Sequence, residues 1–221
     1  MSRLFAFGCS FTNYRWSTWA DALAPEFDSF ENWGQSGAGN EFIFNRVMEA
    51  DQRQQFGPQD TVIVCWTTTT REDRYVNERW HTLGNMFDCP IYNKDYLTTH
   101  VDERGLLIKT LAYIKAVKTL LENRQVQWKF LSMDHVNSLN IYQDVVDSIA
   151  PSYHTVLFKN GWPDRDGDPH PSPAEHLAYL DWVLPGWVTN SDIRVKVLEE
   201  TADPDIIHKF LKRPEITRLD R

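Results

Sequence analysis

Three short polar clusters, far apart in the chain, carry residue types that can do acyl chemistry together. Gly8-Cys9-Ser10-Phe11-Thr12 offers a hydroxyl. Gly34-Gln35-Ser36-Gly37-Ala38-Gly39-Asn40 offers backbone amides and a carboxamide, and Asp168-Pro169-His170 offers a carboxylate and an imidazole. A serine becomes a nucleophile beside a base that takes its proton, with a group to orient that base and donors for the oxyanion. In this reading Ser10 is the nucleophile, His170 the base and Asp168 its orienting carboxylate. The amides of Ser10 and Gly37 serve the oxyanion, with Asn40 as a side-chain donor. Plain structural readings stand beside these: Ser10 as a helix cap, His170 as a surface loop histidine.

These clusters do chemistry only if the fold brings them to one place. Leu4 to Phe7 is a short apolar run, read as a buried strand that delivers Ser10 at its carboxyl end, with Gly8 allowing a sharp turn. Ligands of open parallel sheets bind at that edge. Tyr14 to Ala24 has helical spacing, closed by Pro25, and Phe27 to Trp33 reads as a second strand. Asn40 is placed to cap a helix whose apolar face holds Phe42, Ile43, Val47 and Met48. Thr61 to Trp66 is the clearest strand, apolar enough to be buried on both faces. Arg104 to Asn123 is an amphipathic helix, Trp128 to Met133 a fourth strand, Leu139 to Ile149 a helix and His154 to Phe158 a fifth strand. Pro173 to Leu184 is helical, with Pro173 in its first turn. Ser191 to Glu200 and Asp205 to Lys212 read as short helices.

Tyr75 to Asp102 has no clean period and reads as an insertion anchored by Tyr75, Trp80, Phe87, Tyr92 and Tyr96. Such stretches serve as lids or contact surfaces. The expected architecture is a three-layer α/β domain over 1–188, with an insertion at about 72–103, then a charged helical tail at 189–221.

Composition narrows the partners. The 221 residues fit one sizeable core, and 23 Lys and Arg against 31 Asp and Glu give a formal charge of −8. That is no footprint for nucleic acid or an anionic membrane. No stretch is apolar enough to span a bilayer. The first residues run straight into a strand, so no secretory signal is expected and the expected setting is cytoplasmic. Cys9, Cys65 and Cys89 lack metal-type spacing and are expected as reduced thiols, Cys9 buried. Asp166, Asp168, His170 and His176 admit a metal reading, but no second group of ligands stands out, so no metal is expected. His176 is expected on a helix, facing solvent or core. Nothing in the sequence fixes an oligomeric state.

The three blocks together resemble those of the SGNH/GDSL hydrolases. Gly8-Cys9-Ser10-Phe11-Thr12 is similar to the family's first block, and Asn32 to Asn40 to its second, whose glycine lends an oxyanion amide. Asp168 to His176 is similar to its last, where Asp and His precede a terminal helix. In order and spacing the resemblance covers about residues 3 to 184. It implies a flavodoxin-like α/β/α sandwich with a five-stranded, mostly parallel sheet and ester or acyl chemistry without a cofactor. The implied substrate is a small-molecule or glycan ester. Two departures stand out. Where many members have Asp three residues before His, this chain has Gly167, so Asp168 takes the role, with Asp166 as the fallback. Where the family shows Gly-x-Asn-Asp after the third strand, this chain has Trp66-Thr67-Thr68-Thr69-Thr70-Arg71. A Thr hydroxyl or Asn40 then replaces the missing donor, or the oxyanion hole is weaker. Losing one such donor costs about 10²–10³ in rate. Thr68, Thr69 and Arg71 are substrate-binding candidates, Arg71 read either as a solvated surface arginine or as a partner for an anionic substrate group. Asp134-His135 either shapes the pocket or is structural. The expected function is a serine esterase working through an acyl-enzyme. The alternatives are an acyltransferase on the same site and a binding module on this scaffold.

Overall fold

In the computed structural model, residues 1–161 and 167–203 are described. Asp166 and the expected 205–212 helix lie outside them. β1 (Arg3–Phe7) and β3 (Asp60–Trp66) carry the apolar runs. From Leu4 to Phe7 and throughout β3 every residue is buried, as suits strands covered on both faces. β1 pairs in parallel with β2 (Ser29–Asn32) on one side and with β3 on the other, and β3 pairs in parallel with β6 (Gln127–Ser132). The strand order is β2-β1-β3-β6.

Crossover handedness places the helices. From β1 to β2 the chain steps one way, through α1 (Trp19–Leu23). From β2 it hops back over β1 to β3 through α2 (Asn40–Gln54), then continues to β6 through α4 (Glu103–Asn123). With right-handed crossovers the reversal puts α1 on one face and α2 and α4 on the other. α2 packs on α4, while α1 packs with α7 (Pro173–Val183) and α8 (Ser191–Ala202). The reversal point is β1, where open sheets make a crevice at the carboxyl edge.

Several expected elements differ. The sheet has four strands, not five. The chain touches β6 once, in a parallel bridge between Phe130 and Ile149, with the Ala150 amide donating to the Phe130 carbonyl. Pro151 then has no N–H for a ladder. The Ser152 side chain accepts from the Thr155 amide and starts α6 (Tyr153–Val156), a helical turn where a strand was expected. The helix expected over Tyr14 to Ala24 begins only at Trp19, because Tyr14 to Ser17 turn toward the third block. The helix expected over Leu139 to Ile149 is a 3-10 turn at Asn140–Tyr142 followed by α5 (Gln143–Val146). Gly39, not Asn40, is the N-cap of α2, and Met48 of that helix is exposed. α8 continues the core through buried Ile193 and Val197, and buried Glu200 accepts from the Ser17 amide.

The segment after β3 holds a two-stranded antiparallel hairpin, β4 (Arg71–Val76) and β5 (Arg79–Asn85), then α3 (Lys94–His100). Its reversal is Asn77-Glu78, both left-handed, at φ 52° and 60°. That is the geometry of a primed hairpin turn, written without the usual glycine. A left-handed non-glycine residue costs roughly 1–2 kcal/mol. Glu78→Gly is therefore expected to raise the melting temperature, and β-branched Glu78→Val to lower it. A scanning thermal denaturation series in which Glu78→Gly melts below the parent would contradict this geometry.

Candidate active site

Ser10 sits in one tight turn where β1 leaves the sheet. The Thr12 and Asn13 amides both donate to the Cys9 carbonyl, and no helix begins there for Ser10 to cap. A Cβ on Gly8 would lie 2.1 Å from Thr12 Oγ1 and 2.9 Å from the Cys65 carbonyl, so only glycine lets the turn press onto β3. Cys9 is buried beneath the turn.

The third block arrives from the far end of the chain. Ser172 and Glu175 form a capping box at the start of α7, which fixes the residues just before it. His170 Nε2 lies 2.8 Å from Ser10 Oγ, and His170 Nδ1 lies 2.7 Å from Asp168 Oδ1. An ionised carboxylate only accepts, so Nδ1 carries the proton and Nε2 is left to accept from the serine hydroxyl. The His170 amide also donates to Asp168 Oδ1, at 3.0 Å. Gly167 is left-handed, at φ 83°. An aspartate is strained in that conformation, a physical reason for the carboxylate to stand at 168.

Two residues that the sequence reading passed over hold Asp168 from outside. The Tyr14 hydroxyl donates to Asp168 Oδ2 at 2.8 Å, and the Tyr14 ring stacks on the His170 imidazole with centroids 4.0 Å apart, 17° from parallel. Arg15 Nη2 donates to the same oxygen at 2.8 Å, though its side chain is 65% exposed. An exposed ion pair of this kind adds little. The only sequence signal was the aromatic cluster that follows Ser10, which helical spacing claimed first.

The electrostatics set the protonation states. Burial alone pulls the His170 pKa below its ordinary value, and the positive charges of Arg71 and Arg15 add to this against the pull of Asp168. Burial raises the Asp168 carboxyl, but the His170 amide, the Tyr14 hydroxyl and the His170 ring outweigh it and hold it below the usual range. Burial, then the bond to Asp168, pushes the Tyr14 phenol up to about 12, so it stays a donor. His176 is buried in α7, with Nδ1 2.8 Å from the Tyr153 hydroxyl, and burial drives its pKa down to about 3. It is a neutral core histidine.

The second block meets the first through the Gln35 amide, which donates to the Gly8 carbonyl at 3.0 Å. Among the described residues, neither the Ser10 nor the Gly37 amide donates to a protein acceptor. The hairpin buttresses this loop. The Gly84 amide donates to the Gly37 carbonyl, Thr82 Oγ1 donates to the Ser36 carbonyl, and Asp73 accepts from the Gly39 and Phe42 amides. Asn40 faces elsewhere. Its carboxamide accepts from the Thr67 amide and donates to the Thr67 carbonyl, both at 3.0 Å, with Thr110 Oγ1 3.4 Å away. It braces α2 against the exit of β3. Thr68 and Thr69 lie half-buried on that exit, with Thr68 Oγ1 accepting from Thr70. Arg71 Nη1 donates to the Ala38 carbonyl. Asp134 and His135 line a separate groove of about 270 Å³ that reaches Ser152 and Thr155. Among the described residues no group of three His, Cys, Asp or Glu is placed to hold a metal ion, and no helix is long and apolar enough to cross a membrane.

No family model and no curated protein matches the chain. Solved structures do resemble it. An acetylxylan esterase from Geobacillus stearothermophilus is 16% identical, with TM-score 0.46, over 86% of this chain and 97% of that one. A member of the lipolytic G-D-S-L family from Veillonella parvula is 13% identical, with TM-score 0.46, over 83% and 98%. A GDSL-like lipase from Bacteroides thetaiotaomicron is 13% identical, with TM-score 0.44, over 90% and 88%. Likenesses this distant say nothing of residue roles.

The geometry makes His170 a weak base by histidine standards, with Tyr14 drawing charge from its carboxylate. An NMR titration is expected to place the His170 pKa below the ordinary value of about 6.5. Tyr14→Phe keeps the stack and removes the donor. The less stabilised carboxylate then holds the imidazolium more strongly, so the pKa should rise. A parent value at or above the ordinary one, or a fall in Tyr14→Phe, contradicts the arrangement.

Proposed function

We propose that this chain is a serine esterase that cleaves a carboxylic ester through an acyl-enzyme. The observation that carries this reading is the unbroken line from Ser10 Oγ through His170 to Asp168, with bonds of 2.8 and 2.7 Å. As the Ser10 oxygen attacks the ester carbonyl carbon, its proton passes to His170 Nε2. The imidazolium is stabilised by Asp168, itself held by Tyr14 and Arg15. The carbonyl oxygen gains the negative charge, and the amides of Ser10 and Gly37 are the donors assigned to it. Collapse of the tetrahedral intermediate breaks the bond to the alcohol oxygen, which takes the proton from His170 and leaves. Water, deprotonated by His170, then attacks the acyl-serine. The acid leaves and the proton returns to Ser10. An alcohol in place of that water would give acyl transfer by the same steps.

A fluorophosphonate probe is expected to label the parent protein and not Ser10→Ala. With short-chain 4-nitrophenyl esters, Ser10→Ala and His170→Ala should each lose several orders of magnitude in kcat, and the double variant little more, because the two act as a unit. Asp168→Asn should be the milder loss. Products analysed with and without an added sugar alcohol separate hydrolysis from transfer. An unlabelled parent that binds esters without turning them over would make the chain a binding module instead.

A further inference from the structure

The esterase reading leaves one cation at the site without a task. Arg71 opens β4, just beyond the Thr67–Thr70 exit of β3. Its Nη1 donates to the Ala38 carbonyl at 3.2 Å, and its Nη2 lies 3.7 Å from Met133 Sδ. Ala38 belongs to the loop after β2, and Met133 directly follows β6. These are the two outermost strands of the order β2-β1-β3-β6. The guanidinium is therefore held between loops from both flanks of the sheet, at the carboxyl edge where β1 delivers Ser10. His170 feels its charge.

Both acceptors are neutral. Among the described residues no carboxylate lies within ion-pair reach of Arg71. The closest in sequence, Glu72 and Asp73, are engaged elsewhere: Glu72 pairs with Arg74, and Asp73 accepts from the Gly39 and Phe42 amides. Arg71 and the buried Asp73 carboxylate feel each other's charge, but the Asp73 oxygens are spent on two backbone amides and the half-buried guanidinium is not paired with them. A guanidinium has five N–H donors in a planar fork that matches a carboxylate, and its two bonds here leave the rest of that fork open.

We propose that Arg71 is a specificity-determining residue that binds a carboxylate on the substrate, so that the preferred ester is anionic. The inference rests on the esterase reading of the same site. The carboxylate belongs either to the acyl half, as in a half-ester of a dicarboxylic acid, or to the alcohol half, as in an acylated uronic sugar. A charge-assisted pair of this kind is expected to favour the anionic ester by roughly 10–100-fold in kcat/KM.

The test uses two matched pairs of esters. 4-Nitrophenyl pentanoate against 4-nitrophenyl hydrogen glutarate places the charge on the acyl half. An acetylated methyl glucoside against the corresponding acetylated methyl glucuronide places it on the alcohol half. The parent should favour the anionic member of one pair, and the preference should shrink as salt is raised. Arg71→Gln should collapse that ratio to within about 2–3-fold, while Arg71→Lys, which keeps the charge but not the fork, should retain part of it. An esterase that turns over neutral esters and is indifferent to charge in both pairs overturns the inference alone. So does an Arg71→Gln variant that loses both members of a pair equally, since that marks an oxyanion or structural role. A parent that neither reacts with the fluorophosphonate nor cleaves any of the four esters overturns the esterase reading, and the inference falls with it.

Discussion

The hydrogen bond from Ser10 to His170 joins residues 160 positions apart, and much of the fold holds its two ends still. One end is fixed by the pressure of the Gly8 turn against β3. The other is fixed by the capping box at the start of α7. Between them Tyr14, only four residues past the serine, reaches across to the carboxylate that orients the histidine. The N-terminal turn thus supplies the serine and also the outer support of the Asp168–His170 pair. A serine and a histidine on separate loops would drift by the fraction of an ångström that proton transfer does not tolerate. Here the histidine and, through Tyr14, the turn that carries the serine are both tied to Asp168.

The hairpin β4–β5 does a comparable service on the opposite side. Asp73 ties together the first amides of α2, and Thr82 and Gly84 fasten the loop that carries Gly37. The first half of the inserted segment thus buttresses the loop after β2. Asn40 is likewise a brace whose carboxamide joins helix to strand exit.

Much of this was legible in the sequence because the signals were local. Leu4 to Phe7 and Thr61 to Trp66 read as buried strands and are, and Gly8-Cys9-Ser10 leaves the expected sheet edge, whereas Asp168-Pro169-His170 reaches it without the fifth strand that was expected to lead there. The failures share a cause as well. His154 to Phe158 has strand-like residues, but Pro151 and Ser152 upstream decide its fate through a missing N–H and a helix cap. The hairpin escaped because its strands are mostly polar and its turn is Asn-Glu, not Asn-Gly. Tyr14 escaped because a long-range stack leaves no periodic trace: Trp16, Trp19, Ala20 and Leu23 imitate a helix that Tyr14 itself does not join.

The separation of the two reactive halves also governs when the molecule comes into being. The strands in the central sheet all pair in parallel, so each pairing waits for an intervening crossover, and non-local pairing of this kind is slow. A ribosome adding residues at about 5–20 per second releases Ser10 long before His170. For most of synthesis the nascent chain holds Ser10 without the imidazole it bonds in the folded protein. Only when α7 has emerged and docked beside α1 does the imidazole reach the serine, so the proposed reactivity would begin with that docking, after the last parallel pairing of the sheet is already made.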